Sequence, residues 1–170
     1  MELNKIFEER FSVRSFKDTP VEDSKIDSLL EAMRIAPTGH NDQPQRVYVL
    51  KSQDAIAKIR ACTKCAFNAP LVMMVCADMD AAWRNRYSGR SAAETDAAIV
   101  TTYMMLKAQD MGLTSCWVHH YDPAKIKAAF NLPDNIEPLN LLPIGYAAED
   151  AAPLPMHFES KSIEELATIL

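Results

Sequence analysis

The stretch "ETDAAIVTTYMMLKAQDMGL", Glu94–Leu113, decides how the chain is organised. Its apolar and small residues, Ala97, Ala98, Val100, Tyr103, Met104, Met105, Leu106 and Ala108, spread over far more than the single stripe of a surface helix. A helix of that kind is buried nearly all round, at the centre of the fold or between two subunits. Gly112 predicts its stop, because a left-handed residue just past the last turn is a frequent helix end. Directly after it "SCWVHH" reads as a strand entering the interior. Upstream, "VEDSKIDSLLEAMRIA" carries Ile26, Leu29, Leu30 and Met33 at helical spacing and is closed by Pro37. "RVYVLK" and "PLVMMVCAD" are β-rich or apolar runs bounded by breakers and predict two strands, with a helix over 53–66 between them. "LNLLPIGY" predicts a further strand after a short helix in "DPAKIKAAFNL". The sum is an α+β fold, a mixed, mostly antiparallel sheet of four or five strands flanked by helices, in one domain over residues 1–170. The last twenty residues, "AAPLPMHFESKSIEELATIL", open as a Pro-rich extended arm and end in a short amphipathic helix. Such an arm is too apolar to float and is expected to wrap the body or a partner chain.

Composition narrows the function classes. A chain of 170 residues, 48% hydrophobic, supports one core, and a formal net charge of −5 argues against a general binder of nucleic acid or anionic membrane. The start, "MELNKIFEER", is charged and lacks the apolar segment of a signal peptide, and no run approaches the roughly 18 apolar residues of a spanning helix. A cytoplasmic protein is expected. The four cysteines, at 62, 65, 76 and 116, are expected as free thiols. Cys62 and Cys65 form a C-x-x-C late in a predicted helix, away from the helix start that would acidify a thiol, and no second Cys/His pair has zinc spacing. No metal is expected.

"RFSVRSF", Arg10–Phe16, places Arg10, Ser12 and Arg14 at alternate positions. In an extended backbone these three share one face while Phe11 and Val13 point the other way. Two guanidinium forks and a hydroxyl match a phosphate monoester. The plainer alternative is that the arginines answer Glu8 and Glu9 on a solvated helix end. In "APTGHNDQPQR", residues 36–46, Asn41 and Gln43 each offer one amide acceptor and two donors at a spacing that addresses adjacent polar atoms of a flat heterocycle. Trp117 is large enough to pack on an aromatic ligand.

Taken together, R-x-S-x-R near the start, A-P-T-x-x-N-x-Q-P before the first strand, A-P-L-V before the second, a helix opening on T-D-A-A and ending G-L-x-S-C-W, and I-G-Y resemble the FMN-dependent nitroreductase family over essentially the whole chain. The resemblance implies a homodimer with an FMN at each subunit interface. It also implies transfer of electrons from NADH or NADPH, through flavin N5 and by a ping-pong exchange, to nitroaromatics, quinones or similar acceptors. Position by position, it implies that Arg10, Ser12 and Arg14, with the Phe11 backbone, cradle the FMN phosphate. Pro37, Thr38, Asn41 and Gln43 meet the flavin of the other subunit, and Cys116, Trp117, Val118 and His119 lie against the ring with a backbone N–H at N5. Gly145 lets the chain pass close to the phosphate end. The family's further basic residue in the C-terminal arm falls at Lys161 or else at His157. At the loop "WRNRYSGR", residues 83–90, members of the family vary, with an insertion that can cover the flavin; plain solvated surface and a lid with Trp83 or Tyr87 over the site are both open, and a nucleic-acid patch is disfavoured by the acidic balance. His119 and His120 point to opposite sides of a strand and do not easily share a metal. A protein that binds FMN as a sensor or carrier, without fast turnover, is the competing function.

Overall fold

The run Leu71–Asp78 (β2) is a strand covered on both faces, which is why it is apolar without alternation. In the computed structural model, which describes residues 2–170, Leu71, Met73 and Val75 face one core and Val72, Met74 and Cys76 face another. The other strands are Gln45–Leu50 (β1), Thr114–Ser115 (β3) and Ile136–Gly145 (β4), and the sheet order is β1-β2-β4-β3. All three strand pairings are antiparallel. The one parallel pairing among the described residues is a single bridge, Ser12 to Ser115, so the expected mixed sheet reduces to an antiparallel one with a parallel touch at its edge.

Among the described residues there are six α-helices: Leu3–Glu9 (α1), Asp23–Ile35 (α2), Gln53–Cys62 (α3), Ala93–Asp110 (α4), Pro123–Phe130 (α5) and Ile163–Leu166 (α6). Helices α2 and α4 fill one face through Ile26, Leu29, Val100, Met104 and Ala108. Helices α3 and α5 fill the other through Ile56, Ile59 and Ile126. Local chemistry sets their ends. Asp122 caps α5 by accepting the Ala124 and Lys125 N–H groups, and Ser52 caps α3 through Ala55. Helix α4 stops as Gly112 predicts: Gly112, at φ +74°, donates its N–H to Gln109, and Leu113 donates to Ala108, the paired bonds of a Schellman end. Helix α3 is shorter than expected, ending at Cys62, because Thr63 turns extended and bonds the His120 carbonyl at 2.6 Å; residues 64–66 form a separate 3₁₀ turn. All four cysteines are free.

Helix α4 is buried along Ala93, Ala97, Val100, Thr101, Met104 and Ala108, while Ile99, Thr102 and Leu106 are half-buried and Tyr103 is exposed. The strand expected over "SCWVHH" survives as only Thr114–Ser115 and an isolated bridge between Val118 and Leu141. The reason lies in the partner strand: Cys116 donates to the Pro143 carbonyl at 3.2 Å, but Pro143 has no N–H to return, so the ladder breaks there. Past Gly145 the chain leaves the sheet, and the arm carries Met156, Phe158, Ile163 and Leu166 exposed on the chain. Among the described residues no helix is long and apolar enough to cross a membrane.

Candidate functional site

Helix α1 gives way at Arg10 to extended backbone (φ −70°, ψ 137°), and the chain runs beside the edge strand. The Val13 N–H donates to the Ser115 carbonyl at 3.0 Å, and Val13 and Phe16 are buried. Arg10, Ser12 and Arg14 therefore stay on the outer side. Glu9 pairs with Lys5 at 3.5 Å, not with an arginine, and among the described residues neither Arg10 nor Arg14 is in an ion pair. The Arg14 guanidinium lies back over its own strand, Nη1 donating to the Ser12 carbonyl at 3.1 Å. The bridge between Ser12 and Ser115 brings this stretch alongside Cys116, whose thiol is pushed up by burial against the opposing pull of the Arg14 guanidinium and the Ser12 hydroxyl.

Along 116–119 side chains alternate. Cys116 and Val118 go into the core under α5, while Trp117 and His119 stack on the other side, ring centroids 6.0 Å apart and 15° from parallel. Trp117 is anchored from beneath: its Nε1–H donates to Asn140 Oδ1 at 3.0 Å, Asn140 Nδ2 donates to Thr101 Oγ1 at 3.0 Å, and the Thr101 hydroxyl donates to the Ala97 carbonyl at 2.7 Å. The Cys116 and Val118 N–H groups bond β4. Those of Trp117 and His119 point off the sheet edge, and among the described residues no acceptor takes them. His120 lies apart, its carbonyl held by Thr63.

The C-terminal arm folds back to this edge. A cavity of about 190 Å³ is lined by Phe11, Ser12, Arg14, Leu154, Met156 and His157. The rings of Phe11 and His157 meet edge to face at 6.3 Å. Lys161 is exposed and outside that lining. Gly145 is fixed by packing: a Cβ there would stand 2.9 Å from Pro70 Cδ and 3.2 Å from Phe16 Cδ1.

The loop with Pro37, Thr38, Asn41 and Gln43 lies elsewhere. It leads into β1, at the opposite edge from β3, roughly 14 Å away across three strand spacings. Asn41 (φ 59°) and Gln43 (φ 49°), with His40 (φ 53°), take left-handed backbone and are exposed. Thr38 Oγ1 accepts the Gln43 N–H at 3.1 Å, and Asp96 Oδ1 accepts the Gly39 N–H at 2.8 Å. One chain thus brings together Arg10, Phe11, Ser12, Arg14, Cys116 and His157, and keeps the amide-bearing loop apart. Trp83 packs beside Gly39, while Tyr87 is 83% exposed with the Arg86 guanidinium over its ring.

Two residues at these sites escaped the sequence reading. Asp96, in the first turn of α4, is 2% exposed, and nothing near it in the sequence marks it as buried. Asn140 interrupts an apolar run, "LNLLPIG", and that interruption was its signal. Among the described residues no group of three or more His, Cys, Asp or Glu could hold a metal ion.

A family model described as "Nitroreductase family" matches residues 7–68 and 62–146. A nitroreductase family protein from Clostridium difficile 630 superposes with a TM-score of 0.92 at 36% identity, covering 99% of this chain and 98% of that one. The NADH dehydrogenase of Thermus thermophilus is 25% identical over 179 residues, 85% of this chain and 86% of its own. The FMN reductase [NAD(P)H] of Bacillus subtilis is 24% identical over 172 residues, 91% of this chain and 69% of its own.

Proposed function

This chain belongs to the nitroreductase family, and on that premise we propose that it is an FMN-containing oxidoreductase, drawing electrons from NAD(P)H and delivering them to nitroaromatic, quinone or similar small acceptors. When bound, FMN supplies the hydride chemistry at its N5. The observation that carries the reading is a juxtaposition. Two guanidinium groups without carboxylate partners, at Arg10 and Arg14, stand beside an edge strand whose Trp117 and His119 N–H groups have no acceptor. Orphan donors of this kind fit the acceptor atoms along one side of a flavin ring, and the arginines fit its phosphate.

The chain's own residues bind and orient. Arg10, Ser12 and Arg14, with the Phe11 backbone, hold the phosphate, and His157, on the wall of the same small cavity, supplies the third contact in preference to the exposed Lys161. An N–H of the 117–119 segment would donate to the flavin ring and fix its position. The Asn140–Thr101 chain under Trp117 keeps that segment in place. Gly145 admits the close approach of Phe16 and Pro70 that seats the phosphate loop. No side chain is assigned a covalent or acid–base step. Donor and acceptor would react in turn with the bound flavin, a ping-pong order.

The second copy completes the site. Thr38, Asn41 and Gln43, with Pro37, stand at the opposite sheet edge and reach a flavin only in a homodimer. Two features support that assembly. The outward stripe of α4, Ile99, Thr102, Tyr103 and Leu106, is left partly uncovered, and the arm exposes Phe158 by 74% and Ile163 by 78%. Four free thiols accord with a reducing compartment, the cytoplasm. The test is direct. Protein mixed with FMN and desalted is expected to stay yellow, to bleach anaerobically with NAD(P)H, and to regain colour with a quinone. Colourless protein refutes the reading, and bleaching without turnover leaves a flavin carrier.

A further inference from the structure

We infer that the hollow between the 83–92 hairpin, the 39–43 loop and α4 seats the electron-donating nucleotide, and that Arg90 makes it select the donor bearing a 2′-phosphate over the one without. The inference rests on the flavin-enzyme reading above and adds to it a donor preference and the residue responsible.

The hairpin is ordered. Ala92 donates its N–H to the Trp83 carbonyl at 2.8 Å, Asn85 donates to the Arg90 carbonyl at 2.9 Å, and Arg84 bridges Ser91. Asn85 Oδ1 ties the turn by accepting the Tyr87 and Ser88 N–H groups at 2.9 and 3.0 Å, and Gly89 turns it at φ +70°. Alternation along such a ladder puts Trp83, Asn85, Arg90 and Ala92 on one face. That face looks onto α4 across a cavity of about 650 Å³, in the size range of small-molecule sites.

The walls differ in chemistry. At one end Asp96, 2% exposed, gives Oδ1 to the Gly39 N–H, while Oδ2 is buried with no hydrogen-bond partner. A buried carboxylate oxygen without a partner calls for an N–H donor. Trp83 adds an aromatic surface, and Arg90, among the described residues, is in no ion pair. A flat heterocycle with an amide N–H at one end and a phosphate at the other satisfies both ends, and the reverse orientation sets phosphate against carboxylate. Arg84 and Arg86, exposed on the same hairpin, strengthen the positive field in a chain of net charge −5. A phosphate monoester gains more from that field than a hydroxyl does.

The test is calorimetric titration of FMN-saturated protein with NADP⁺ and with NAD⁺, followed by KM values for NADPH and NADH. Wild type is expected to bind NADP⁺ at least tenfold more tightly. Arg90→Ala is expected to reduce that ratio to within twofold while leaving NAD⁺ binding and FMN affinity unchanged. High salt should weaken NADP⁺ more than NAD⁺. Equal binding of the two by wild type, or a ratio that survives Arg90→Ala, overturns the inference while the flavin-enzyme reading stands. Protein that takes up no FMN fails at the first step and overturns that reading and this one together.

Discussion

Replacing Arg14 by alanine tests the phosphate cradle where its consequences are most separable. Arg14 is exposed and, among the described residues, is in no ion pair and bonds only a neighbouring carbonyl, so folding stability should move by no more than about 0.5 kcal/mol. Its loss in binding is of another size. A hydrogen bond to a charged group contributes about 1.5–3 kcal/mol, and about 1.4 kcal/mol is tenfold in affinity. The expected weakening of FMN binding is therefore about 10- to 140-fold, toward the lower end because water and salt reach an exposed guanidinium. Arg14→Lys keeps the charge but loses the planar fork, and should fall between wild type and alanine. Quenching of FMN fluorescence on titration, at low and at physiological salt, gives the affinities. Arg34→Ala is the control, since that guanidinium is already held by Glu31 at 2.6 and 2.7 Å. If Arg14→Ala binds FMN within twofold of wild type, Arg14 does not hold the phosphate.

Gly145→Ala should destabilise by about 1–3 kcal/mol, because the new Cβ meets Pro70 ring carbons at 2.9 and 3.2 Å in a buried place; an unchanged melting temperature would contradict the packing argument. Burial pushes the Cys76 thiol up to about 12 from its ordinary 9. Between those values the unfolded chain has lost a proton that the native state keeps, so stability falls as pH rises through that window, and the Tyr121 hydroxyl, also raised by burial, acts in the same direction. Urea midpoints at pH 8 and pH 10.5 should differ, and Cys76→Ala should narrow the difference; identical pH dependence in the variant counts against it. Removing residues 153–170 takes away the exposed Met156, Phe158 and Ile163, and should lower the sedimentation mass of the FMN-bound protein from dimer toward monomer at micromolar concentration.

What the sequence disclosed was set by local chemistry or by burial on all sides. The Gly112 stop and the unbroken apolar run of β2 follow from neighbours a few residues away or from a uniform environment, whereas the helix over 94–111, apolar nearly all round, is buried on one side and leaves Tyr103 exposed on the other. What it concealed depends on distant partners. Nothing in "SCWVHH" shortens the strand; Pro143, 27 positions past Cys116, does so by failing to return a hydrogen bond. Nothing around Asp96 marks it as buried until Gly39, from 57 residues earlier, docks on it. The arm's path back across Phe11, which puts His157 and not Lys161 on the wall of the cavity that Arg14 also lines, likewise has no local signal in the sequence.

The 38–43 loop shows why the two halves of the site should be read together. His40, Asn41 and Gln43 all hold positive φ, a conformation that costs a residue other than glycine about 1–3 kcal/mol unless its surroundings enforce it. Here they do: Thr38 Oγ1 takes the Gln43 N–H, Asp96 takes the Gly39 N–H, and a Cβ added to Gly39 would stand 3.2 Å from Ala92 Cβ and 3.3 Å from Trp83 Cβ. Yet the loop presents Asn41 and Gln43 outward, their side chains without a partner among the described residues. Strain enforced from below and amides aimed outward answer no need of the monomer. In the proposed dimer both are accounted for, because the amides then reach the polar edge of the neighbouring flavin. The same Asp96 that fixes their direction also borders the nucleotide hollow, so donor seat and flavin contact share one buried carboxylate.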